Sequence, residues 1–276
     1  MRLFSALIAL ALFTPCIAPA GVMERVAETK TLRIGYRVDA PPFSFQGNDG
    51  KANGYSVDLC RAVADSIKHD LKLETIAIQY VTVTAENRFK AIETGAIDLL
   101  CGPTSATISR REIVDFSLPI FVDGAGLMVR EGLTVSSLSD LATKKLAVRG
   151  GTTTERALRS SFPNADIAIV RDHRMGISLL KEGAADAYFA DRTVLAFLKA
   201  TDADAANLMI AQDYLTIEPY ALALPKGDSA FRLSVDKAIS RVFTNRKLLA
   251  RVQRSFGDVE LGNLVKALYR IIPLPN

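Results

Sequence analysis

The residues best suited to chemistry in this chain are arginines placed where short β-rich runs give way to loops. Arg37 follows the run 32–36, Arg88 follows the run 76–81 and its Thr82-Val83-Thr84 loop, and Arg110 follows the run 97–101. A guanidinium holds a carboxylate through two parallel N–H bonds, fixing its orientation as well as its charge. One such arginine is ordinarily a solvated surface residue. Three at successive strand ends point to recognition of an anion, although pattern alone does not show that they converge.

A second anion-directed feature is Gly150-Gly151-Thr152-Thr153-Thr154-Glu155, between an expected strand and helix. The glycines allow a tight turn, and a helix N-terminus presents unpaired N–H groups and a positive dipole end. Helix capping is the plain alternative, with Thr152 and Glu155 as a capping box, and the two readings are compatible. The stretch lacks the Gly-Lys-Ser/Thr ending of a phosphate loop, and no dinucleotide fingerprint occurs, so no cofactor is implied. Asp191 ends the expected strand 187–190, where its carboxylate either faces a ligand ammonium or caps the following helix. His173, in Arg171-Asp172-His173-Arg174, is either a donor to a second carboxylate or a solvated loop histidine.

Covalent catalysis is not suggested. A serine or cysteine nucleophile needs a histidine base oriented by a third group, and no Gly-x-Ser-x-Gly elbow is present. The two histidines, His69 and His173, are not at ligand spacing with the cysteines, which argues against a metal site. Lysines and arginines are scattered rather than clustered, which argues against a nucleic-acid face.

The first twenty residues read as a secretory signal: Arg2, the apolar run 3–13, then Ala18-Pro19-Ala20 for a signal peptidase. Cys16 raises a lipoprotein alternative that Thr14-Pro15 fits poorly. Loss of Arg2 takes the formal net charge from +4 to +3, a mild positive balance suited to an anionic small ligand. The roughly 255 remaining residues exceed the usual single-core size, so one large or two medium domains are expected. Cys60 and Cys101 survive processing, and an even pair in an oxidising compartment reads first as a disulfide.

These residues must be positioned by a chain that alternates β-rich runs with helical periods, the α/β signature. Strands are expected at 32–36, 76–81 and 97–101, with helices at 56–67 and 88–94 and a loop across 39–54. After 116–119 a second α/β series begins, with strands at 126–130, 145–149, 167–170 and 187–190 and helices at 155–161, 176–181 and 192–199. The run 220–224 leads back, and a helical tail spans 228–256. Two α/β lobes with one inserted in the other need two crossings, and 126–130 and 220–224 are the candidates. In open α/β sheets ligands collect beyond the carboxyl ends of the strands, where the arginines stand.

At this point the ordered set "LRIGYRVDAPPFSF", "GYSVDLC", "ENRFKAIETGAIDLLCGPTSATISRR", "VDFSLPIF" and "GGTTTE" resembles the family 3 extracellular solute-binding proteins of polar amino-acid ABC transporters. Within that family the chain looks most like the glutamate/aspartate branch, through "GYR", "PPFSF", "ENR", "CG-x-T" and "DH". The resemblance implies a type II periplasmic-binding fold, with lobe 1 at 21–126 and 221–276, lobe 2 at 127–220, and ligand enclosed between them. It also implies a periplasmic monomer that hands its amino acid to a membrane permease.

Carried over by position, Arg110 matches the group that grips the α-carboxylate. Thr152 and Thr153 match added donors, Asp191 the partner of the α-ammonium, and Ser105 a cleft hydroxyl. Arg37, Arg88 and His173 match the groups around a side-chain carboxylate. Ala85 and Pro103 stand where close relatives carry serines, and each lost hydroxyl removes a hydrogen bond worth roughly 0.5–1.5 kcal/mol. Glutamine, asparagine or a dicarboxylate therefore stays open as ligand. Periplasmic cyclohexadienyl (arogenate/prephenate) dehydratases also resemble these receptors, so an enzyme on the same scaffold is the alternative from another class.

Overall fold

Two five-stranded sheets organise the computed structural model, which describes residues 21–133, 135 and 137–275. The expected signal at 1–20 lies outside the described residues. In the first sheet Ala77–Thr82, Thr31–Tyr36 and Leu99–Cys101 run parallel. Glu218–Leu224 and Asp115–Asp123 follow, antiparallel to one another. The second sheet repeats the plan: Asp166–Val170, Lys145–Arg149 and Ala187–Asp191 are parallel, with Ala125–Val129 and Met209–Ile210 antiparallel at one side. Central strands such as Leu99–Cys101 are buried along their whole length, as expected where helices cover both faces of a parallel sheet.

Helix Tyr55–Asp70 lays Val57, Leu59, Cys60, Val63, Ala64 and Ile67 on the first sheet. Cys60 on that helix is joined by a disulfide to Cys101 at the end of the central strand, 41 residues on. Phe43, Tyr55, Phe121, Tyr220 and Phe256 form one aromatic nest beneath the sheet edge, and the Tyr55 hydroxyl donates to the Ile120 carbonyl at 2.6 Å.

Several expectations are corrected. Residues 39–54 are not only loop: Asp39–Ala40, Ser44–Gln46 and Ala52–Asn53 form a three-stranded antiparallel sheet. Asp115–Asp123 is a strand despite Pro119; it lies at the edge of its sheet, where a missing N–H costs no ladder bond. The tail breaks at Asn245, whose side chain accepts from the Lys247 and Leu248 N–H groups and starts a new helix, Arg246–Gln253. A further helix, Asn263–Ile271, follows.

The chain changes sheets at Gly124, between Asp115–Asp123 and Ala125–Val129, and returns between Met209–Ile210 and Glu218–Leu224. Boundaries drawn at 126/127 and 220/221 therefore fall inside strands: at the first crossing one apolar strand runs into the next with a single glycine between them, and at the second the returning strand already starts at Glu218. The two crossings touch. A Cβ on Gly124 would lie 1.8 Å from the Thr216 carbonyl oxygen, so only glycine fits there. The Leu215 N–H donates to the Ala125 carbonyl at 2.7 Å.

Candidate functional site

Both sheets point the carboxyl ends of their parallel strands at a common cleft. Arg37 follows Thr31–Tyr36 directly, and Arg88 opens the short helix Arg88–Glu93 beyond Ala77–Thr82. Ser105 and Arg110 follow Leu99–Cys101, with Arg110 on the turn Ile108–Arg111 that Thr107 caps. From the other sheet, Thr152 and Thr153 follow Lys145–Arg149, His173 follows Asp166–Val170, and Asp191 ends Ala187–Asp191.

The solvated-loop reading of the arginines does not survive: Arg37, Arg88 and Arg110 are 4%, 2% and 5% exposed. Phe89 sets two of them, its ring centroid lying 5.0 Å from the guanidinium carbons of both Arg88 and Arg110. Arg37 Nη2, Arg88 Nε and Nη1, and Arg110 Nε are buried without a hydrogen-bond partner. Buried guanidinium nitrogens without acceptors are costly; burial lowers all three pKa values, Arg110 to about 10, with added repulsion from Arg149 on Arg37, from Arg37 and Arg110 on Arg88, and from Arg156 on Arg110. Unpaired donors of this kind can hydrogen-bond anionic oxygens.

The second lobe brings its groups to the same place. The Thr153 hydroxyl donates to Glu218 Oε2 at 2.7 Å and lies 3.3 Å from Ser105 Oγ, across the cleft. Thr152 caps helix Thr153–Ser161, accepting from the Glu155 N–H and donating to the Arg149 carbonyl at 2.8 Å. The capping box is only half formed, because the Glu155 carboxylate accepts from the Gly151 N–H instead. Both threonine hydroxyls are thus engaged, and the first-turn N–H groups of Thr153 and Thr154 are the donors that the helix itself does not use. Gly151 makes the turn at φ +71°, and a Cβ there would sit 3.4 Å from the Ala85 carbonyl oxygen of the facing lobe.

His173 is not a solvated loop histidine. It is the first residue of helix His173–Lys181, buried, with Nδ1 2.7 Å from the Tyr188 hydroxyl. Burial, then the Arg37 and Arg149 charges, push its pKa down to about 3, so it is neutral. Gly176, one turn on, makes room for the Tyr188 ring: a Cβ there would lie 2.5 Å from it. Asp191 stands at the N-cap of Arg192–Thr201 without a capping bond. Its carboxyl faces Tyr220, Arg37 and Arg88, and burial and Glu218 raise its pKa. Asp123, at the crossing, is pushed above the usual carboxylate range by burial and by Asp191.

The sequence reading missed Arg149, Asp39, Glu218 and Phe89. Arg149 ends a parallel strand just before the glycine pair, so the strand-end rule that found Arg37 finds it too. It is 5% exposed, its Nε has no partner, and it pairs with Asp39 of the first lobe. Ala85 and Pro103 are buried beside these groups and supply no side-chain donor.

The profile of bacterial extracellular solute-binding proteins, family 3, matches residues 32–258. The chain belongs to this family. The L-glutamate/L-aspartate-binding protein of Pseudomonas aeruginosa is 31% identical over 88% of this chain and 83% of its own. The glutamate/aspartate import solute-binding protein of Escherichia coli (strain K12) is 29% identical over 83% of this chain and 77% of its own. Among solved structures, an ancestral amino acid-binding protein described as a precursor of cyclohexadienyl dehydratase superposes with a TM-score of 0.76 at 26% identity, covering 85% of this chain and 99% of that one. This family 3 solute-binding protein has the type II periplasmic-binding fold. No helix of its described residues is long and apolar enough to cross a membrane, and no group of residues among them fits a metal ion.

Proposed function

We propose that this chain is the periplasmic receptor of an ABC importer for an acidic amino acid, glutamate or aspartate. It is exported by the signal at 1–20, works as a monomer, and delivers its ligand to a membrane permease. The observation that carries the reading is the set of buried guanidinium nitrogens without partners on Arg37, Arg88, Arg110 and Arg149. Arg110 and the first-turn N–H groups of Thr153 and Thr154 hold the α-carboxylate, with Ser105 and Thr152 shaping that end. Asp191 takes the α-ammonium. Arg37, Arg88 and His173 surround the side-chain carboxylate, the neutral imidazole donating from the nitrogen that Tyr188 leaves free.

Charge supports the same ligand. Four buried arginines face the carboxylates of Asp39, Asp191 and Glu218, with His173 neutral and the Asp123 carboxyl raised by burial and by Asp191, while Arg156 beside Arg110 and Glu86 beside Arg149 and Arg37 offset one another. One positive charge is left in excess, and an acidic amino acid brings one net negative charge where glutamine brings none. Binding and closure require only differential affinity for the closed state, so no catalytic step is assigned.

Calorimetry on extensively dialysed protein tests the assignment, since carried-over ligand hides the response. Wild type binds glutamate or aspartate more tightly than glutamine, and Arg110→Ala abolishes binding; unchanged glutamate affinity in Arg110→Ala refutes it. A second reading, a cyclohexadienyl dehydratase-like enzyme, is favoured by the likeness to the ancestral precursor. Incubation with prephenate or arogenate decides it, and product formation overturns the receptor reading.

A further inference from the structure

One carboxylate in the cleft belongs to the protein itself. Asp39, on the small three-stranded sheet of the first lobe, accepts from Arg37 Nε at 3.2 Å through Oδ1. Its other oxygen, Oδ2, pairs with Arg149 Nη1 at the strand end of the second lobe. The ion pair therefore spans the cleft. Its members are well shielded, with Arg37, Arg149 and Asp39 side chains 4%, 6% and 23% exposed. Burial alone would raise the Asp39 carboxyl, but the two guanidiniums outweigh it and hold it below its ordinary value.

Asp39 reaches the two arginines from one side only. It lines the wider outer opening with Phe45, His173 and Phe197, whereas Arg37 and Arg149 line the inner pocket with Thr152, His173 and Asp191. Arg37 Nη2 and Arg149 Nε remain buried without partners. The internal carboxylate thus offsets part of the arginine charge without consuming the donors that face a ligand. In a shielded site, one unit charge several ångströms from a ligand changes binding strongly, because effective permittivity there is about 20 rather than 80.

We propose that Asp39 is a specificity-determining residue, a built-in counter-ion that sets the net charge the cleft accepts. The proposal rests on the receptor reading above. With Asp39 in place, the arginine excess is matched by a ligand carrying one net negative charge. Without it, the cleft favours a ligand with one more. Arg149 is the opposite control, because its removal takes away one positive charge from the same pair.

The test is a calorimetric comparison of three probes: L-glutamine (neutral), L-glutamate (one net negative charge) and glutarate (two, with no ammonium). Wild type, Asp39→Asn, Arg149→Gln and the double variant are titrated, each first checked for a cooperative thermal transition. The readout is the ratio of dissociation constants between probes within one variant, since a general loss from weaker lobe contact cancels in that ratio. Asp39→Asn is expected to move both the glutarate-to-glutamate and glutamate-to-glutamine ratios about tenfold or more toward the more anionic probe. Arg149→Gln moves them the other way, and the double variant returns them to near wild type. Ratios that stay within twofold in both single variants, with all affinities falling together, overturn the proposal and leave Asp39 as a tie between lobes. If wild type prefers glutamine, the acidic-ligand reading fails, while the same directional shifts in the variants still uphold the counter-ion role.

Discussion

Replacing Cys60 and Cys101 together by alanine removes the cross-link between helix Tyr55–Asp70 and the central strand of the first sheet. The cysteines are 41 residues apart. Closing a loop of that length restrains the unfolded chain by an entropy worth about 4 kcal/mol at 25 °C, and native disulfides typically contribute about 2–4 kcal/mol. Both side chains are fully buried, so the alanines also leave small cavities that keep the loss from falling below this range. The expected destabilisation is about 2–4 kcal/mol, or roughly 5–15 °C in the melting temperature of a domain this size. The chain has no tryptophan, so urea unfolding is followed by the near-ultraviolet circular dichroism of the tyrosines. Tyr55 and Tyr220 in the aromatic nest weight this signal toward the first lobe, with Tyr188 of the second sheet also contributing, and the far-ultraviolet signal follows both lobes together. The denaturant slope should rise, because the unfolded chain expands once the loop opens. A double variant within about 0.5 kcal/mol of wild type, or two thiols labelled in the unreduced native protein, refutes the reasoning.

Arg88→Ala is expected to leave binding in place and to erode the preference for glutamate over glutamine by about tenfold or more, the worth of a charged hydrogen bond, read by calorimetry. Burial and the Arg37 and Arg149 charges hold His173 neutral in the folded state at a pKa of about 3, against the ordinary histidine value of 6.5. The unfolded state therefore binds more protons, and stability is lost as pH falls through 6.5 toward 3. At pH 5 this one group costs about 2 kcal/mol, and His173→Gln should flatten that part of a pH series of urea midpoints. Gly176→Ala places a methyl against the Tyr188 ring. It should cost about 1–3 kcal/mol by overpacking and weaken ligand affinity through the displaced His173, measured by thermal melting and calorimetry.

The parts of the fold that were legible in the sequence are those where local chemistry and tertiary context agree. The run 32–36 and helix 56–67 carry their periods plainly, and Gly95, at φ +67°, stops the short helix as expected. Pro119 hid a strand because an edge position, which excuses a proline, is not visible along the chain. Asn245 hid a helix break because it caps one helix while ending another. The strand-end rule located Arg37, Arg88 and Arg110 but not their burial, which depends on a facing lobe far away in sequence. Arg149 obeys the same rule at the end of its strand, where the adjacent Gly150-Gly151 turn carries the stronger local signal. Asp39 carried no signal at all: an aspartate in a proline-rich turn looks like turn chemistry until the second lobe brings Arg149 against it.

The two touching crossings at Gly124 and Thr216 bear on the order in which the molecule is assembled. Strand Glu218–Leu224 sits between Leu99–Cys101 and Asp115–Asp123, so the first sheet stays split until the chain has been made to that point. The second sheet is complete once Met209–Ile210 has emerged. The later-encoded lobe thus has all its strands before the earlier one, and its closure brings residues 124 and 216 together. A chain arriving from its N-terminus meets the long-range pairing with its widest loop already shortened, which reduces the entropic cost of forming those contacts.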